Sequence, residues 1–182
     1  MYKSIGLVEF GSIALGIIGA DVMLKTAEVE LITAGTVCPG KYTVMVGGGV
    51  AAVESSVRAG VKQNETSVID EFIIPNVHPE VFPAIAGVNN ISQIDSLGVI
   101  ETFSVASLII AADAAVKAGA VRLVEIRLAI GMGGKSFVTL TGDVAAVKSA
   151  VQAGSDVAAV SGMLANKVII PSPHSRLKEV II

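Results

Sequence analysis

The second half of this chain repeats the first. Shifted by 92 positions, Ser4–Leu31 falls on Ser96–Leu123 with 12 of 28 residues identical. Later segments match at shifts of 94 and 96, so the second copy contains two short insertions. A repeat of this length predicts one supersecondary module used twice. We expect a first domain at residues 1–90 and a second at residues 91–182.

Each copy has the pattern of a βαββαβ module. In the first copy, apolar periodicity predicts strands and helices at Ile5–Glu9, Ser12–Ala27, Glu30–Thr36, Tyr42–Val46, Val50–Ala59 and Phe72–Ile74. The second copy repeats them at Leu97–Glu101, Ser104–Gly119, Arg122–Ile130, Ser136–Leu140, Val144–Ala153 and Val168–Ile170. Ser12 and Ser104 are the expected helix N-caps. The order predicts an α/β (α+β) chain of two tandem ferredoxin-like domains.

The composition indicates an oligomer. Hydrophobic residues make up 52% of the chain and charged residues 16%, which is more apolar material than two small domains can bury. Surplus apolar surface of this kind usually forms subunit interfaces. The longest uncharged apolar runs have about eleven residues, against about 20 for a spanning helix, so no membrane partner is expected. A net charge of −3 gives no reason to expect nucleic acid. A single cysteine and no visible signal peptide predict a cytoplasmic protein.

The motifs do not suggest an enzyme. The sequence has no Ser-His-Asp, HExxH or CxxC signal. Glu9 and Glu101 occupy equivalent strand ends in separate copies, so we do not expect them to act together as acid and base. Gly47–Gly49 precedes a helix, where phosphate can bind. No lysine follows at P-loop spacing, however, and Asp143 replaces the last glycine in the second copy. We interpret the run as a tight strand-to-helix connection.

Two further residue types recur in both copies. His78 and His174 each follow a strand that stops at a proline, and no nucleophile or carboxylate recurs beside both. A structural contact repeated around a ring is therefore the better interpretation. Lys25 and Lys117 each follow an aspartate by four residues and share its helix face. An exposed pair of this kind contributes about 0.5 kcal/mol at most.

Several segments resemble the bacterial microcompartment (BMC) shell-protein domain. They are Gly6-Leu7-Val8-Glu9, Asp21-x-x-x-Lys25, Gly40-Lys41, Gly48-x-Val50-Ala51-Ala52-Val53, Ile74-Pro75-x-x-His78, Gly142-Asp143-Val144-Ala145-Ala146-Val147 and Ile170-Pro171-Ser172-Pro173-His174. The tandem arrangement, with Thr36–Lys41 in the first copy, is similar to the T-type shell proteins of propanediol-utilisation microcompartments. The resemblance implies a homotrimer that mimics a hexamer and assembles with other shell proteins. It also implies that Lys25 and Lys117 contact neighbouring oligomers.

Cys38 is the candidate metal-binding and cofactor-binding residue. It precedes Pro39-Gly40 at a turn between strands, where a side chain is less readily packed away. An iron–sulfur cluster needs several thiolates, and three chains around a threefold axis supply three. The resemblance implies one 4Fe–4S cluster per trimer, held by three copies of Cys38. Zinc bound by three thiolates and water is the alternative metal.

The resemblance therefore implies a cytoplasmic microcompartment shell protein, a pseudohexameric trimer with a redox cluster at its central pore. The cluster would pass electrons, or be exchanged, across the shell, and an encapsulated redox enzyme is the expected electron partner. A plain metabolite-pore trimer, in which Cys38 stays free, is one alternative. The other is a PII-like trimeric regulator, which would bind a small molecule such as a nucleotide and would not form sheets.

Overall fold

The structure is a computed structural model that describes residues 3–181. The first copy forms β1 (Ser4–Phe10), α1 (Ile13–Thr26), β2 (Glu30–Val37), β3 (Lys41–Gly48), α2 (Val50–Gln63), a 3₁₀ turn (Glu65–Ser67), β4 (Val68–Ile74) and α3 (Val81–Ala86). The second copy forms β5 (Ser96–Thr102), α4 (Val105–Ala118), β6 (Val121–Arg127), β7 (Ser136–Gly142), α5 (Val144–Val160), β8 (Leu164–Ile170) and α6 (Ser175–Ile181).

Both copies form a four-stranded antiparallel sheet with the ferredoxin-like strand order. The order is β2-β3-β1-β4 in the first sheet and β6-β7-β5-β8 in the second. The pairing registers repeat as well, since Ile5 pairs with Ile74 and Leu97 pairs with Ile170. The prediction of two tandem α/β modules is confirmed, and each of the four strands of one copy has a structural equivalent in the other.

The predicted helix starts are confirmed, and the ends of α1 and α4 lie within one residue of the prediction, whereas the second helix of each copy was predicted to end too early. Ser12 Oγ accepts the Leu15 N–H at 3.4 Å, and Ser104 Oγ accepts the Ser107 N–H at 3.1 Å. The second helix of each copy was expected to stop before a glycine, but α2 continues to Gln63 and α5 to Val160.

These glycines lie inside the helices because another element packs closely against them. A Cβ on Gly60 would lie 2.6 Å from Met23 Cγ, and one on Gly154 would lie 2.5 Å from the Ala111 carbonyl oxygen. Met23 belongs to α1 and Ala111 to α4, so each glycine allows the two helices of its copy to approach. Glycine is found both where a helix ends and where two helices pack closely, so the sequence alone did not separate the two cases.

The β6 strand and the two short helices also differ from expectation. β6 was predicted to reach Ile130 but ends at Arg127, because the residues that follow form a glycine-rich loop. The short helices α3 and α6 were not predicted, since six or seven residues are too few for a helical period to be recognised.

The residues form two compact units that exchange short segments of sequence. One unit contains the chain up to Val77 together with Ala129–Gly134, and the other contains His78–Leu128 together with the chain from Lys135 onward. The β6–β7 loop of the second copy therefore belongs to the first unit. The tail of the first copy, from His78 through α3, belongs to the second unit.

The core of the first unit lies between its sheet and its two long helices. It consists of Val8, Phe10, Met23, Val44, Val46, Val53 and Val57, all at most 1% exposed. In the second unit, the fully buried side chains include Ile100, Leu108, Ile109, Leu123 and Leu140. Within residues 3–181, no helix has both the length and the apolar character needed to span a bilayer.

Candidate functional site

Cys38 lies in the short turn between β2 and β3, as expected from the sequence. The thiol is partly exposed and is not in a disulfide. The Cys38–Pro39 peptide bond is cis, and Gly40 has a φ of 76°, a backbone conformation that favours glycine. The turn thus presents a free soft ligand at the end of a β-hairpin.

The β6–β7 loop of the second copy contacts this turn through main-chain atoms. The Cys38 N–H donates to the Ala129 carbonyl oxygen at 2.8 Å, and the Gly131 N–H donates to Cys38 Sγ at 3.4 Å. Gly131, Gly133 and Gly134 all have positive φ, of 73°, 62° and 90°. The loop therefore fixes the backbone and the sulfur of Cys38 together. The sequence matched this loop to the Cys38 turn but did not predict that the two would touch.

A surface pocket of about 250 Å³ lies beside the thiol. Its lining residues are Thr36, Val37, Cys38, Gly40 and Ile130. Ile130 is 71% exposed although it is apolar, and it comes from the β6–β7 loop. The pocket combines one sulfur ligand with apolar walls from both loops of the first unit.

The donor set of a single chain is incomplete for a metal. Across residues 3–181, no three His, Cys, Asp or Glu side chains are placed so that they could hold a metal ion. Cys38 is the only cysteine of the sequence, so a site with several thiolates must draw on several chains. The chemistry of the donor fits an iron–sulfur cluster, because thiolate is its usual ligand and hydrogen bonds to sulfur tune its potential. Cys38 with the Gly131 N–H supplies both features.

The two equivalent glutamates are each paired with a lysine. Lys41 Nζ lies 2.7 Å from Glu9 Oε1, and the two side chains are 14% and 0% exposed. Lys135 Nζ lies 2.9 Å from Glu101 Oε1, with exposures of 46% and 31%. In each pair the lysine directly follows the loop between the second and third strands of its copy, and the glutamate lies on the first strand. The carboxylates thus serve as structural partners of lysines.

One carboxyl group has a clearly shifted acidity. Partial burial, and then the neighbouring Asp70 carboxylate, raise the pKa of Glu71 above its usual value. A raised pKa can mark a catalytic acid. Both causes are local to β4, and the register partner of Glu71 on β1 is the apolar Val8.

His78 and His174 have the same local role in the two copies. His78 Nδ1 accepts the Glu80 N–H at 3.3 Å, and His174 Nδ1 accepts the Arg176 N–H at 3.2 Å. Each imidazole therefore supports the first turn of the short helix that follows. The His78 N–H also donates to Asp113 Oδ1 at 2.7 Å. These bonds give both histidines a structural role within one chain, and the contact repeated around a ring stays a prediction.

The predicted aspartate–lysine pairs occur in both copies, in different surroundings. Lys25 Nζ lies 2.7 Å from Asp21 Oδ2, and the side chains are 75% and 58% exposed. Lys117 bonds to Asp113 Oδ2, with side chains 40% and 9% exposed. The glycine run before α2 forms the strand-to-helix connection that was expected, because β3 ends at Gly48 and the extended Gly49 is the N-cap residue of α2.

Comparisons with known proteins agree with both the repeat and the fold. The chain matches the BMC domain family at residues 4–77 and again at 96–173. It is 41% identical to the bacterial microcompartment shell protein PduT of Citrobacter freundii over 177 residues, 97% of this chain and 96% of that protein. It is 45% identical to the shell protein EutM of Salmonella typhimurium over 86 residues, 47% of this chain and 88% of EutM. A crystal structure of a microcompartment protein from Desulfitobacterium hafniense is similar, with 59% identity, a TM-score of 0.90 and coverage of 98% of this chain and 99% of that one.

Proposed function

Because this chain belongs to the BMC domain family and carries two such domains in tandem, we propose that three copies close into a pseudohexameric ring that tiles a microcompartment shell. Three chains supply six BMC domains, with the two kinds alternating around the ring. The full-length similarity to PduT supports the assignment as a shell protein with tandem domains. Other shell proteins are the partners that such a tile meets at its outer edge.

The observation that carries this proposal is an apolar helix face that is covered in one copy and bare in the other. Ten residues of α4 are buried, against three of the equivalent helix α1. Ile109 on α4 is fully buried, whereas its equivalent Ile17 is 54% exposed. Both helices carry the same apolar pattern, so α1 lacks a cover that α4 already has.

The opposite difference in exposure occurs at the fourth strand of each copy. Phe72 on β4 is 5% exposed, whereas the equivalent Val168 on β8 is 43% exposed. The first copy therefore lacks cover at α1 and the second copy at β8. A head-to-tail contact between unlike copies of two chains covers both surfaces at once. Contacts of this heterologous type generate rings when the rotation closes.

Cys38 is the proposed ligand of one 4Fe–4S cluster per ring. Three symmetry-related chains provide three thiolates, and the Gly131 N–H of each chain hydrogen-bonds to the ligand sulfur. When bound, such a cluster supplies a one-electron redox centre in the shell, which an enclosed redox enzyme could use, or a cluster that can be exchanged. Zinc held by the same three thiolates is the second candidate.

Anaerobic purification with metal analysis tests this proposal. We expect a brown protein of three times 18.5 kDa by light scattering, with about four irons per trimer and broad absorption near 400 nm. Cys38→Ser should lose the colour and the iron and keep the trimer, because hydroxyl is a poor ligand for these clusters. Thr36→Ala, on the wall of the same pocket, is the matched control and should keep both.

Each part of the proposal can fail separately. A colourless trimer that contains zinc would replace the cluster by the second candidate. A trimer without any metal would leave Cys38 as an ordinary pore residue in a metabolite-conducting shell protein. A stable monomer would overturn the ring and the shared site together.

A further inference from the structure

The tail of the first copy, from His78 through α3, is fixed to one edge of the second copy by three hydrogen bonds, each of which involves a charged side chain. This edge is formed by α4 and the start of β6. Arg122 Nε donates to Glu80 Oε1 at 2.6 Å, and the Leu123 N–H donates to Glu80 Oε2 at 3.1 Å. The third bond runs from the His78 N–H to Asp113 Oδ1. All of these residues belong to the second unit. This contact within one chain therefore shows the hydrogen bonds by which such a tail binds such an edge.

The second copy ends in a tail of the same shape. The His174 carbonyl oxygen accepts the Leu177 N–H at 2.9 Å, as the His78 carbonyl oxygen accepts the Val81 N–H at 3.1 Å. The imidazole bonds to residues 80 and 176 also match. The two tails thus have the same backbone conformation at the histidine, and the side chains of Glu80 and Arg176 occupy equivalent positions two residues after it. The second tail is exposed at His174 and Arg176.

The first copy has an edge of the same shape. Glu30 pairs with Gly47 in the first sheet, where Arg122 pairs with Thr141 in the second, and these positions are equivalent in the repeat. Asp21 stands on α1 where Asp113 stands on α4, and it already binds Lys25 through Oδ2 as Asp113 binds Lys117. The edge of the first copy is exposed at Asp21 and Glu30.

The charges of this second tail and edge are exchanged. Glu80 of the first tail corresponds to Arg176, and Arg122 of the second edge corresponds to Glu30. We infer that Arg176 of one chain pairs with Glu30 of the neighbouring chain, reproducing the Glu80–Arg122 pair with its signs reversed. Asp21 accepts the His174 N–H in the same contact. The guanidinium group of Arg176 has donors but no acceptor atom. The hydrogen bond from the Leu123 N–H to Glu80 Oε2 therefore has no counterpart at Leu31.

The reversed signs determine which copies meet. Contact between like copies would place Glu80 against Glu30, or Arg176 against Arg122, and both arrangements juxtapose like charges. Repulsion of the wrong partner is a common source of specificity. The apolar surfaces of α1 and β8 supply the area of the interface, and the ion pairs select its partner and register. Only the alternating order of first and second copies satisfies every pair.

Charge reversal and its rescue test this inference, which rests on the proposed ring. Arg176→Glu or Glu30→Arg should weaken the trimer by roughly tenfold or more in low salt, since each creates a like-charge pair. The double variant E30R/R176E should return to within about threefold of the wild type. Lys148→Glu makes the same change of charge on an exposed face of α5 and should have no effect. Sedimentation over a concentration series at low and high salt measures all four.

A backbone variant tests the second bond independently of the ion pair. His174→Pro removes the N–H that Asp21 is inferred to accept, whereas His174→Ala keeps it. Only the proline variant should weaken the trimer, and adding Asp21→Ala to it should cause little further loss. Circular dichroism identifies any variant whose fold has changed.

The possible results separate this pairing from the ring itself. A trimeric wild type with R176E no weaker than Lys148→Glu overturns the pairing and leaves the ring in place. A double variant as weak as its parents also overturns the pairing. A monomeric wild type overturns the ring, and the pairing falls with it.

Discussion

Glu9 and Lys41 place a complete ion pair inside the first sheet. Glu9 is fully buried and Lys41 nearly so, whereas the equivalent Glu101–Lys135 pair is open to water. Removing one partner of a buried pair leaves an uncompensated charge, which typically destabilises a protein by about 3–5 kcal/mol. An exposed pair contributes about 0–1 kcal/mol. The repeat thus provides a buried pair and an exposed control in one molecule.

We expect Lys41→Met to lower the free energy of unfolding by about 3 kcal/mol, because Glu9 is left without its lysine. Lys135→Met should lower it by less than about 1 kcal/mol. Glu9→Gln combined with Lys41→Met should recover most of the loss. Urea unfolding at one fixed protein concentration measures each value. Equal losses at the two lysines would contradict a difference based on burial.

The repeat predicted which residues are equivalent but not what surrounds them. Glu9 and Glu101 lie at equivalent positions of strands with the same apolar pattern, so this pattern could not tell the buried glutamate from the exposed one. The contact between Cys38 and Gly131 joins residues 93 positions apart, and it depends on a loop whose glycines have positive φ. Apolar periodicity carries no information about such a loop, whereas the turn at Cys38 was evident from Pro39-Gly40.

At the scale of elements, α1 and α4 show how far a repeat can be interpreted. Their starts follow from serine N-caps, and their apolar character follows from composition. The burial of α4 and the exposure of α1 do not follow, because burial depends on which surface lies beside each helix. The apolar surplus in the composition had indicated subunit interfaces. The structure assigns part of that surplus to the exposed face around Ile17.

Equivalent substitutions in these helices should therefore have different effects. Ile17→Glu should leave the chain folded and dissociate the proposed trimer, because the side chain is already half exposed within one chain. Ile109→Glu should unfold the chain, since it buries an unpaired charge at a fully buried position. Circular dichroism and light scattering on both variants distinguish the outcomes. A trimeric Ile17→Glu protein would remove α1 from the interface.

For the whole molecule, fusing two domains into one chain would reduce the symmetry of the proposed ring. Six identical domains would place six equivalent turns around its pore, whereas the fused chain would place there three Cys38 turns and three glycine loops without a cysteine. Three thiolates leave one iron of a cubane cluster open to another ligand. The divergence of the two copies also permits the exchanged charges at residues 30, 80, 122 and 176. In the proposed ring, one duplication would thus allow both a threefold ligand set and a defined order of copies.

Rings of mixed composition test whether the metal belongs to the whole ring or to each chain. Coexpressed wild-type and Cys38→Ser chains should assemble at random, because Cys38 lies in an exposed turn and not at the α1 surface. A cluster that needs three thiolates should then follow the cube of the wild-type fraction, so equal amounts leave roughly one ring in eight competent. Iron analysis at several ratios, with the fraction measured by mass spectrometry, gives the dependence. A linear fall, with about half of the iron retained at equal amounts, would show that each chain binds metal alone and would reject a shared cluster.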